Sequence, residues 1–227
     1  SGATGVSITG NITLSFSELI RQAVDDAALT NSNIGNHIDF RESNSVGSVV
    51  PATILIDGSK QFVTIDPTAD LSYSQVYYIA VLTTVEDISD NKMVATNATF
   101  TTEDKTPPTV TITPAHNSSN VSVKANITYD FDEPVRNTDN TPLDDTNVDD
   151  LIILRDINKN GTNIAFDATI NASKTQIKVV PGADFNSLQY IYTEIGATVE
   201  DTSDNIIVAI KSLFRTVDAT LPSVEIL

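Results

Sequence analysis

The sequence predicts an all-β protein built as two tandem β-sandwiches, and two observations lead to this prediction. The first is an alternation of apolar and polar residues, typical of a strand with one face in a core and one in water. Its apolar positions are Val121, Val123, Ala125, Ile127, Tyr129 and Phe131. The second is the same pattern earlier in the chain, at Val6, Ile8, Gly10, Ile12, Leu14 and Phe16. The chain therefore contains two copies of one unit, each organised around this strand.

The rest of the chain repeats in the same way. Pro67 falls on Pro181, Tyr78 falls on Tyr192, and the acidic stretch 85–91 falls on 199–205. A period this long indicates whole domains rather than solenoid repeats of about 20 to 50 residues. We predict domains at 1–104 and 105–218, followed by a tail at 219–227 that resembles the first strand of a further domain.

Each copy shows about seven short strand patterns separated by turn residues, which is the arrangement of a β-sandwich. After the alternating strand, the predicted strands are 38–42 and 152–156, segments around Ile65 and Ile177, 77–82 and 190–198, and segments near Phe100 and Phe214. The exception is 18–29, where Leu19, Ile20, Ala23, Val24 and Ala27 recur at helical spacing. We therefore expect one short helix in the first copy.

Composition narrows the class of protein. The 227 residues include 30 acidic and 13 basic ones, for a net charge of -17, which repels nucleic acid and anionic membranes. Apolar runs such as 206–210 are too short to cross a bilayer, so we expect no membrane insertion. The absence of cysteine excludes disulfides and thiolate metal sites. An acidic, cysteine-free β-protein is typical of a prokaryotic surface, so we expect an extracellular location.

The junction between the copies is the segment 103–108, which ends in Pro107 and Pro108. Two prolines fix φ and remove backbone donors, which stiffens a linker. We expect this junction to hold successive domains end to end.

Several motifs resemble those of tandem bacterial immunoglobulin-like domains of surface proteins and adhesins. They are the T-P-P-T-V lead-in at 106–110, the F-x-E-P-V strand end at 131–135, the Y-x-Y strand at 190–192, the E-D-x-S-D-N loops at 86–91 and 200–205, and the closing F-x-T. The first copy departs at Leu19, where the family has proline, and Asp90 and Asp204 stand where glycine is common. The resemblance implies two immunoglobulin-like sandwiches with a structural or adhesive role, sometimes stiffened by calcium.

The two copies begin and end differently. The second copy opens with an apolar strand at 110–113, and the first copy has no equivalent before Val6. The tail repeats that opening, since Pro222 falls on Pro108, Val224 on Val110 and Ile226 on Ile112. One interpretation is a piece of a longer repeat array, in which the partners are flanking repeats. The other is strand donation, in which the tail of one molecule fills the vacant strand position of the next and builds a head-to-tail filament.

The acidic loops supply the hard oxygen ligands that calcium prefers. The candidate metal ligands are Asp87, Asp90, Glu103, Asp104, Asp201, Asp204 and Asp218. The alternative is a set of Asx turns, in which aspartate and asparagine side chains bond their own backbone.

Sequons of the form N-x-Ser/Thr mark candidate glycosylation sites. They lie at Asn11, Asn97, Asn117, Asn120, Asn126, Asn160 and Asn171. Because glycosylation requires export, these sites are meaningful only for a surface protein.

The sequence offers little for catalysis. The chain has only His37 and His116, no cysteine nucleophile, no nucleophile elbow and no phosphate-binding loop. Without tryptophan, a glycan-binding platform is also poorly supported. The sequence favours a structural or adhesive repeat of a surface layer, filament or stalk; the alternative is a module that binds a glycan or protein, or a non-catalytic appendage of a surface enzyme.

Overall fold

The computed structural model describes residues 2–224 and divides the chain into two compact units. Unit 1 is Ser1–Lys105 and unit 2 is Thr106–Leu227, so the division lies next to the predicted boundary. Both units are built from strands, with one turn of 3-10 helix in each, at Ile34–His37 and Val148–Leu151. The predicted all-β fold is confirmed.

Unit 1 contains two main sheets and a small ribbon. The strands are β1 (Ala3–Val6), β2 (Ile12–Ser15), β3 (Arg21–Gln22), β4 (Ile38–Glu42), β5 (Ala52–Ile56), β6 (Phe62–Pro67), β7 (Val76–Val81), β8 (Val85–Glu86) and β9 (Thr96–Thr102). One sheet has the order β1-β9-β7-β4 and the other β2-β6-β5, while β3 pairs with β8. All pairs are antiparallel except β1 with β9, which run parallel.

Unit 2 follows a similar plan, with one strand more in the sheet that corresponds to β2-β6-β5 and one strand fewer in the sheet that corresponds to β1-β9-β7-β4. Its strands are β10 (Val110–Thr113), β11 (Ile127–Phe131), β12 (Arg136–Asn137), β13 (Ile152–Asp156), β14 (Phe166–Ile170), β15 (Gln176–Pro181), β16 (Tyr190–Ile195), β17 (Val199–Glu200) and β18 (Ile210–Arg215). One sheet has the order β10-β11-β15-β14 and the other β13-β16-β18, while β12 pairs with β17.

Each unit has its own hydrophobic core between its two sheets. In unit 1 the core contains Leu29 and Ile65, which are fully buried, and the aromatic ring of Tyr77 packs between those of Phe40 and Phe100. In unit 2 Ile127 and Tyr129 are fully buried in a separate cluster. Two cores of this kind confirm that the repeat in the sequence is a pair of sandwiches.

The alternating strand that organises each copy is interrupted, which corrects the prediction of a continuous strand. In unit 2 Val121 forms a parallel bridge with Thr216 in one sheet, whereas β11 belongs to the other. Between them the amide of Ala125 donates to the carbonyl of Ser122 in a turn. The apolar alternation survives because inward positions stay at least half-buried on both sides of the turn.

The helix predicted at 18–29 is wrong. The segment contains β3 followed by a turn, and no helix. Leu19 is 40% exposed and Val24 is 85% exposed, so the helical spacing does not mark a buried face. Ile20 and Leu29 do reach the core, but β3 is held in extended form by its pairing with β8.

A buried hydroxyl pair in unit 2 allows a test of its core. The Tyr129 hydroxyl and Thr193 Oγ1 are hydrogen-bonded, and both residues are fully buried. The repeat places Leu14 and Ile79 at these positions in unit 1, an apolar pair in the same place. We expect Thr193→Val to lower the free energy of unfolding by about 1–3 kcal/mol, because it leaves the Tyr129 hydroxyl buried without a partner.

The double variant Tyr129→Phe/Thr193→Val removes both polar groups and should be less destabilised than the sum of the two single variants. Urea unfolding followed by circular dichroism measures all of these values. Additive losses would contradict the assignment of this bond.

Candidate functional site: an unpaired sheet edge and the acidic loops

The clearest difference between the units lies at the edge of one sheet. In unit 2, β11 lies between β10 and β15, with Val110 opposite Phe131 and Ile112 opposite Tyr129. In unit 1 the equivalent strand, β2, pairs with β6 on one side only. Among residues 2–224, no strand pairs with its other side. This unpaired side of β2, together with the inward-facing side chains next to it, is called the β2 groove below.

The unfilled position changes the burial of the neighbouring side chains. In unit 2, Ile127 and Tyr129 are fully buried, and Ile112 of β10 is only 6% exposed within the same core. The equivalent residues Ile12 and Leu14 in unit 1 are only half-buried. Phe131 and Phe16 differ in the same sense. The β2 groove therefore exposes apolar surface at the place where unit 2 inserts a strand.

The backbone of β2 also has groups available at this edge. The amide of Phe16 donates to the carbonyl of Gln61 at 2.8 Å, on the β6 side. Because successive residues of a strand direct their amides and carbonyls to opposite sides, those of Thr13 and Ser15 point to the open side. An extended chain that arrives there gains hydrogen bonds as well as apolar contact.

In unit 2, the carboxylate of Asp132 forms hydrogen bonds with Thr109, the residue before β10. Asp132 accepts hydrogen bonds from the Thr109 amide at 2.8 Å and from the Thr109 hydroxyl at 2.7 Å. The Thr109 hydroxyl is the main cause that holds the pKa of Asp132 below its usual value. The repeat places Ser17 at this position in unit 1, so this fastening group is replaced there.

The tail leaves unit 2 as an exposed segment. Asp218 accepts a hydrogen bond from the Ser187 hydroxyl at 2.9 Å and one from the Thr220 amide at 3.0 Å, which anchors the start of the tail. Val224 is 87% exposed, and residues 219–224 belong to no strand. Pro222 lies in the same exposed stretch, and Ile226 lies outside the described residues. Strand donation through these residues stays a prediction.

The two acidic loops share one internal geometry. In unit 1 one oxygen of Asp87 accepts the amides of Ser89 and Asn91, and the other accepts the side-chain amide of Asn91 at 2.8 Å. Asp201 makes the same set of bonds in unit 2. These bonds, with that from the Asn91 side chain first, hold the pKa of Asp87 below its usual value. The loops therefore have the Asx-turn geometry that was the alternative to a metal site.

In each unit, one arginine forms ion pairs with several carboxylates in and near the acidic loop. Arg21 Nε lies 3.2 Å from Glu86 Oε1, and its Nη2 contacts Asp90 and lies 3.3 Å from Asp26. In unit 2 Arg136 pairs with Glu200 at 3.1 Å and with Asp204 at 2.5 Å. The repeat of Arg21 at Arg136 is visible in the sequence, but the role of these arginines was missed, because Glu86 lies 65 residues beyond Arg21 and Glu200 lies 64 residues beyond Arg136.

Asp90 and Asp204 have a left-handed backbone conformation, which glycine adopts more easily than other residues. Asp90 and Asp204 both have φ of 66°, in the left-handed region. Aspartate tolerates this region better than most residues, and here the side chain is also bound by the arginine. The same position thus orients a carboxylate toward Arg21 or Arg136.

The structure places the predicted metal ligands in several different surroundings. Oxygens of Asp26, Glu86 and Asp90 lie within 4.8 Å of one another, which fits a metal site, but the Arg21 guanidinium contacts all three. Glu103 accepts the amide of Ile8 at 3.4 Å and lies 3.7 Å from Lys105 Nζ. Asp104 is half-buried. Calcium binding by the predicted set stays a prediction.

The sequon asparagines are all exposed. This holds for Asn11, Asn97, Asn117, Asn120, Asn126, Asn160 and Asn171. The histidines lie apart from these sites: His37 bonds the Thr84 hydroxyl at 2.8 Å, and His116 accepts the Leu213 amide at 3.0 Å. Each histidine is thus tied to its own unit's loop structure.

The arginine clusters predict a large effect of one substitution. Glu200 is 3% exposed and pairs with Arg136. We expect Arg136→Ala to lower the free energy of unfolding of unit 2 by about 3–5 kcal/mol, because it leaves a buried charge without its partner. The control is Lys124→Ala, since Lys124 is 75% exposed and 4.0 Å from Asp184, for an expected effect of about 0–1 kcal/mol. Equal effects in urea unfolding would contradict a structural role for the cluster.

The stability of the fold should decrease at acidic pH, because one turn depends on an ionised carboxylate, that of Asp57. Asp57 accepts hydrogen bonds from Ser59, Gln61 and Phe62, which lower its pKa to about 2, with the Ser59 hydroxyl as the largest cause. A carboxylate with a lowered pKa stabilises the fold above its unfolded pKa of about 4, and this contribution is lost as pH falls toward about 2. We expect thermal melting to move to lower temperature as the pH falls from about 5 to about 2.

The variant Asp57→Asn keeps one acceptor oxygen but cannot titrate, so its melting temperature should fall less over the same range. Differential scanning calorimetry measures both proteins. Identical pH profiles would show that the Asp57 turn does not contribute.

One protein family and several solved structures are similar to this chain. The profile of the bacterial Ig-like domain family matches the chain twice, at residues 1–102 and 104–216. Among solved structures, a titin A168–A169 substructure is 8% identical, with a TM-score of 0.36, over 96% of this chain and 95% of that one. The N-terminal part of the bacterial S-layer protein SbsC is 10% identical, with a TM-score of 0.32, over 94% of this chain and 43% of that one.

The chain thus spans less than half of that S-layer structure. A search of curated proteins finds no match. The two profile matches coincide with the two sandwiches, each with its own core. The chain belongs to the bacterial Ig-like domain family, as a tandem pair.

Proposed function

We propose that the protein is a structural or adhesive repeat of a prokaryotic cell surface, in a surface layer, filament or stalk. Membership of the bacterial Ig-like family supports the structural role. Within residues 2–224, no helix is long and apolar enough to cross a membrane. Every sequon asparagine is exposed, so these sites would be accessible to modification in an exported protein.

The fold suits a load-bearing role. Each sandwich ties its first strand to the body by backbone hydrogen bonds, as β1 does with β9 in unit 1. In unit 2, β10 is tied to β11 along four residue pairs. Pulling on such a module must break these bonds together, so paired strands resist extension. Repeats joined in this way transmit force along an array.

The unpaired edge of β2 is the main observation that supports assembly of the protein into an array. A sandwich with an unfilled strand position is complete only when another segment occupies it. We propose that head-to-tail neighbours meet at this edge, with a strand donated by the tail of the next molecule. In a longer chain, a flanking repeat supplies the same kind of strand. Both arrangements make the β2 groove the joint of an array.

Self-association tests the proposal. We expect the full chain to form multimers whose size grows with concentration, and Val224→Asp/Ile226→Asp to remain monomeric, because a charge in the inward positions of the donated strand is costly to bury. Size-exclusion chromatography with light scattering and negative-stain microscopy measure the distributions.

The control is Val208→Asp, which alters another apolar residue that is 79% exposed and lies outside the tail. It should associate as the unmodified chain does. Equal association of the tail variant and the unmodified chain would overturn donation by the tail.

A further inference from the structure

We propose that the β2 groove is a binding site for an extended peptide in one antiparallel register, and that its occupant is residues 222–227 of a second copy of the chain. The inference rests on the proposed function and names the partner and the contacts of its joint. It also assigns Ser17 as the residue that keeps this joint weaker than the equivalent one inside unit 2.

The register follows from the internal template in unit 2. There, Val110 lies opposite Phe131 and Ile112 opposite Tyr129. The repeat places Phe16 at the position of Phe131 and Leu14 at that of Tyr129, while Val224 and Ile226 match Val110 and Ile112. Applied to unit 1, the template sets Val224 opposite Phe16 and Ile226 opposite Leu14. A shift by one residue would turn both apolar side chains to solvent, so a single register is favoured.

The side chains of the segment suit the two faces of the joint. Ile112 is 6% exposed in the core of unit 2, and Ile226 brings the same side chain to unit 1. Thr111 is exposed on the outer face, and Glu225 takes that position, where its charge stays in water. Binding would cover Leu14 and Phe16, which are half-buried without it. The gain is the burial that their counterparts already have in unit 2.

The geometry of these pairs defines a chemical test. In unit 2 the Phe131 amide donates to the carbonyl of Thr175, and the Asp132 amide donates to the carbonyl of Thr109. Phe131 and Val110 therefore form a pair without mutual hydrogen bonds, as do Tyr129 and Ile112. The Cα atoms of such pairs lie about 4.5 Å apart, within the range of a disulfide. The chain has no cysteine of its own, so introduced thiols react without background.

Ser17 decides how firmly the strand is held. In unit 2, Asp132 fastens Thr109 through two hydrogen bonds at 2.8 and 2.7 Å. In the joint, Ser223 takes the place of Thr109, and Ser17 takes the place of Asp132. Hydrogen bonds to a carboxylate are roughly twice as strong as neutral ones. Ser17 offers only a neutral hydroxyl at this position, so the donated strand is held less tightly than the strand inside unit 2.

The first experiment measures affinity. The receptor is the full chain with Val224→Asp/Ile226→Asp, so that its own tail does not compete, and the probe is a fluorescent peptide of sequence LPSVEIL. We expect saturable binding by fluorescence anisotropy, and no binding of the peptide LPSDEDL. Adding Ser17→Asp to the receptor should tighten binding about tenfold, because it restores the carboxylate fastening.

The matched control is Ser15→Asp. It adds the same charge two residues away and restores the counterpart of Asp130, which bonds Thr128 and Gln176 rather than the inserted strand. We expect its affinity to stay within about twofold of the parent receptor. Since the probe is acidic, general repulsion would weaken both variants. Absence of saturable binding, or equal tightening by Ser15→Asp, would overturn the inference.

The second experiment tests the register. Receptors with Leu14→Cys or Phe16→Cys are mixed with peptides that carry cysteine at position 226 or 224, activated as the thionitrobenzoate disulfide. Thiol exchange releases thionitrobenzoate, which is measured by absorbance. We expect fast reaction for 14 with 226 and for 16 with 224, and slow reaction for the crossed pairs. Circular dichroism confirms that each receptor is folded, and equal rates for all four pairs would overturn the register.

The two proposals fail separately. If the unmodified chain forms multimers but the receptor does not bind the peptide, neighbours meet at another surface and the β2 groove is not the joint. If the peptide binds in register but the unmodified chain stays monomeric, the β2 groove accepts an extended strand in that register, but its assignment to a second copy of the chain and self-assembly through the tail are both overturned.

Discussion

The number of neighbours of one strand, β11 in unit 2 and its equivalent β2 in unit 1, decides how completely the apolar face of that strand is covered. In unit 2, β11 has a neighbour on each side, and Ile127 and Tyr129 are completely buried. In unit 1, β2 has one neighbour, and Ile12 and Leu14 are half-buried. Unpaired backbone groups beside exposed apolar surface favour association with another strand. In the described residues, an unpaired strand edge therefore occurs in unit 1 at the position where unit 2 has β10.

The acidic side chains of this strongly charged chain are used within the fold. Asp87 and Asp201 hold the backbone of their loops, and Arg21 and Arg136 draw the neighbouring carboxylates together. Because the same bonds occur in both units, they belong to the architecture of the repeat. The β2 groove, in contrast, is found in one unit.

Much of the fold could be predicted because most strand patterns and turn motifs occur twice in the sequence, once in each copy. The alternation of apolar residues predicted inward-facing positions correctly on both sides of the turn at 122–125. It could not show that the chain changes sheets there, because either sheet accepts the same alternation. The helix predicted at 18–29 failed for a related reason. Its spacing was real, but pairing of β3 with β8 and the contact of Arg21 with Glu86 stabilise an extended backbone.

By itself, the sequence determined the fold class and the tandem organisation, since both depend on patterns that are read along the chain. Tertiary structure alone decided which sheet edge is unpaired among the described residues, which side chains are half-buried beside it, and which arginine contacts the loop carboxylates. The physical reason is distance along the chain. Arg21 and Asp90, or β2 and β6, become neighbours only when the sheets assemble, and no local pattern records that contact.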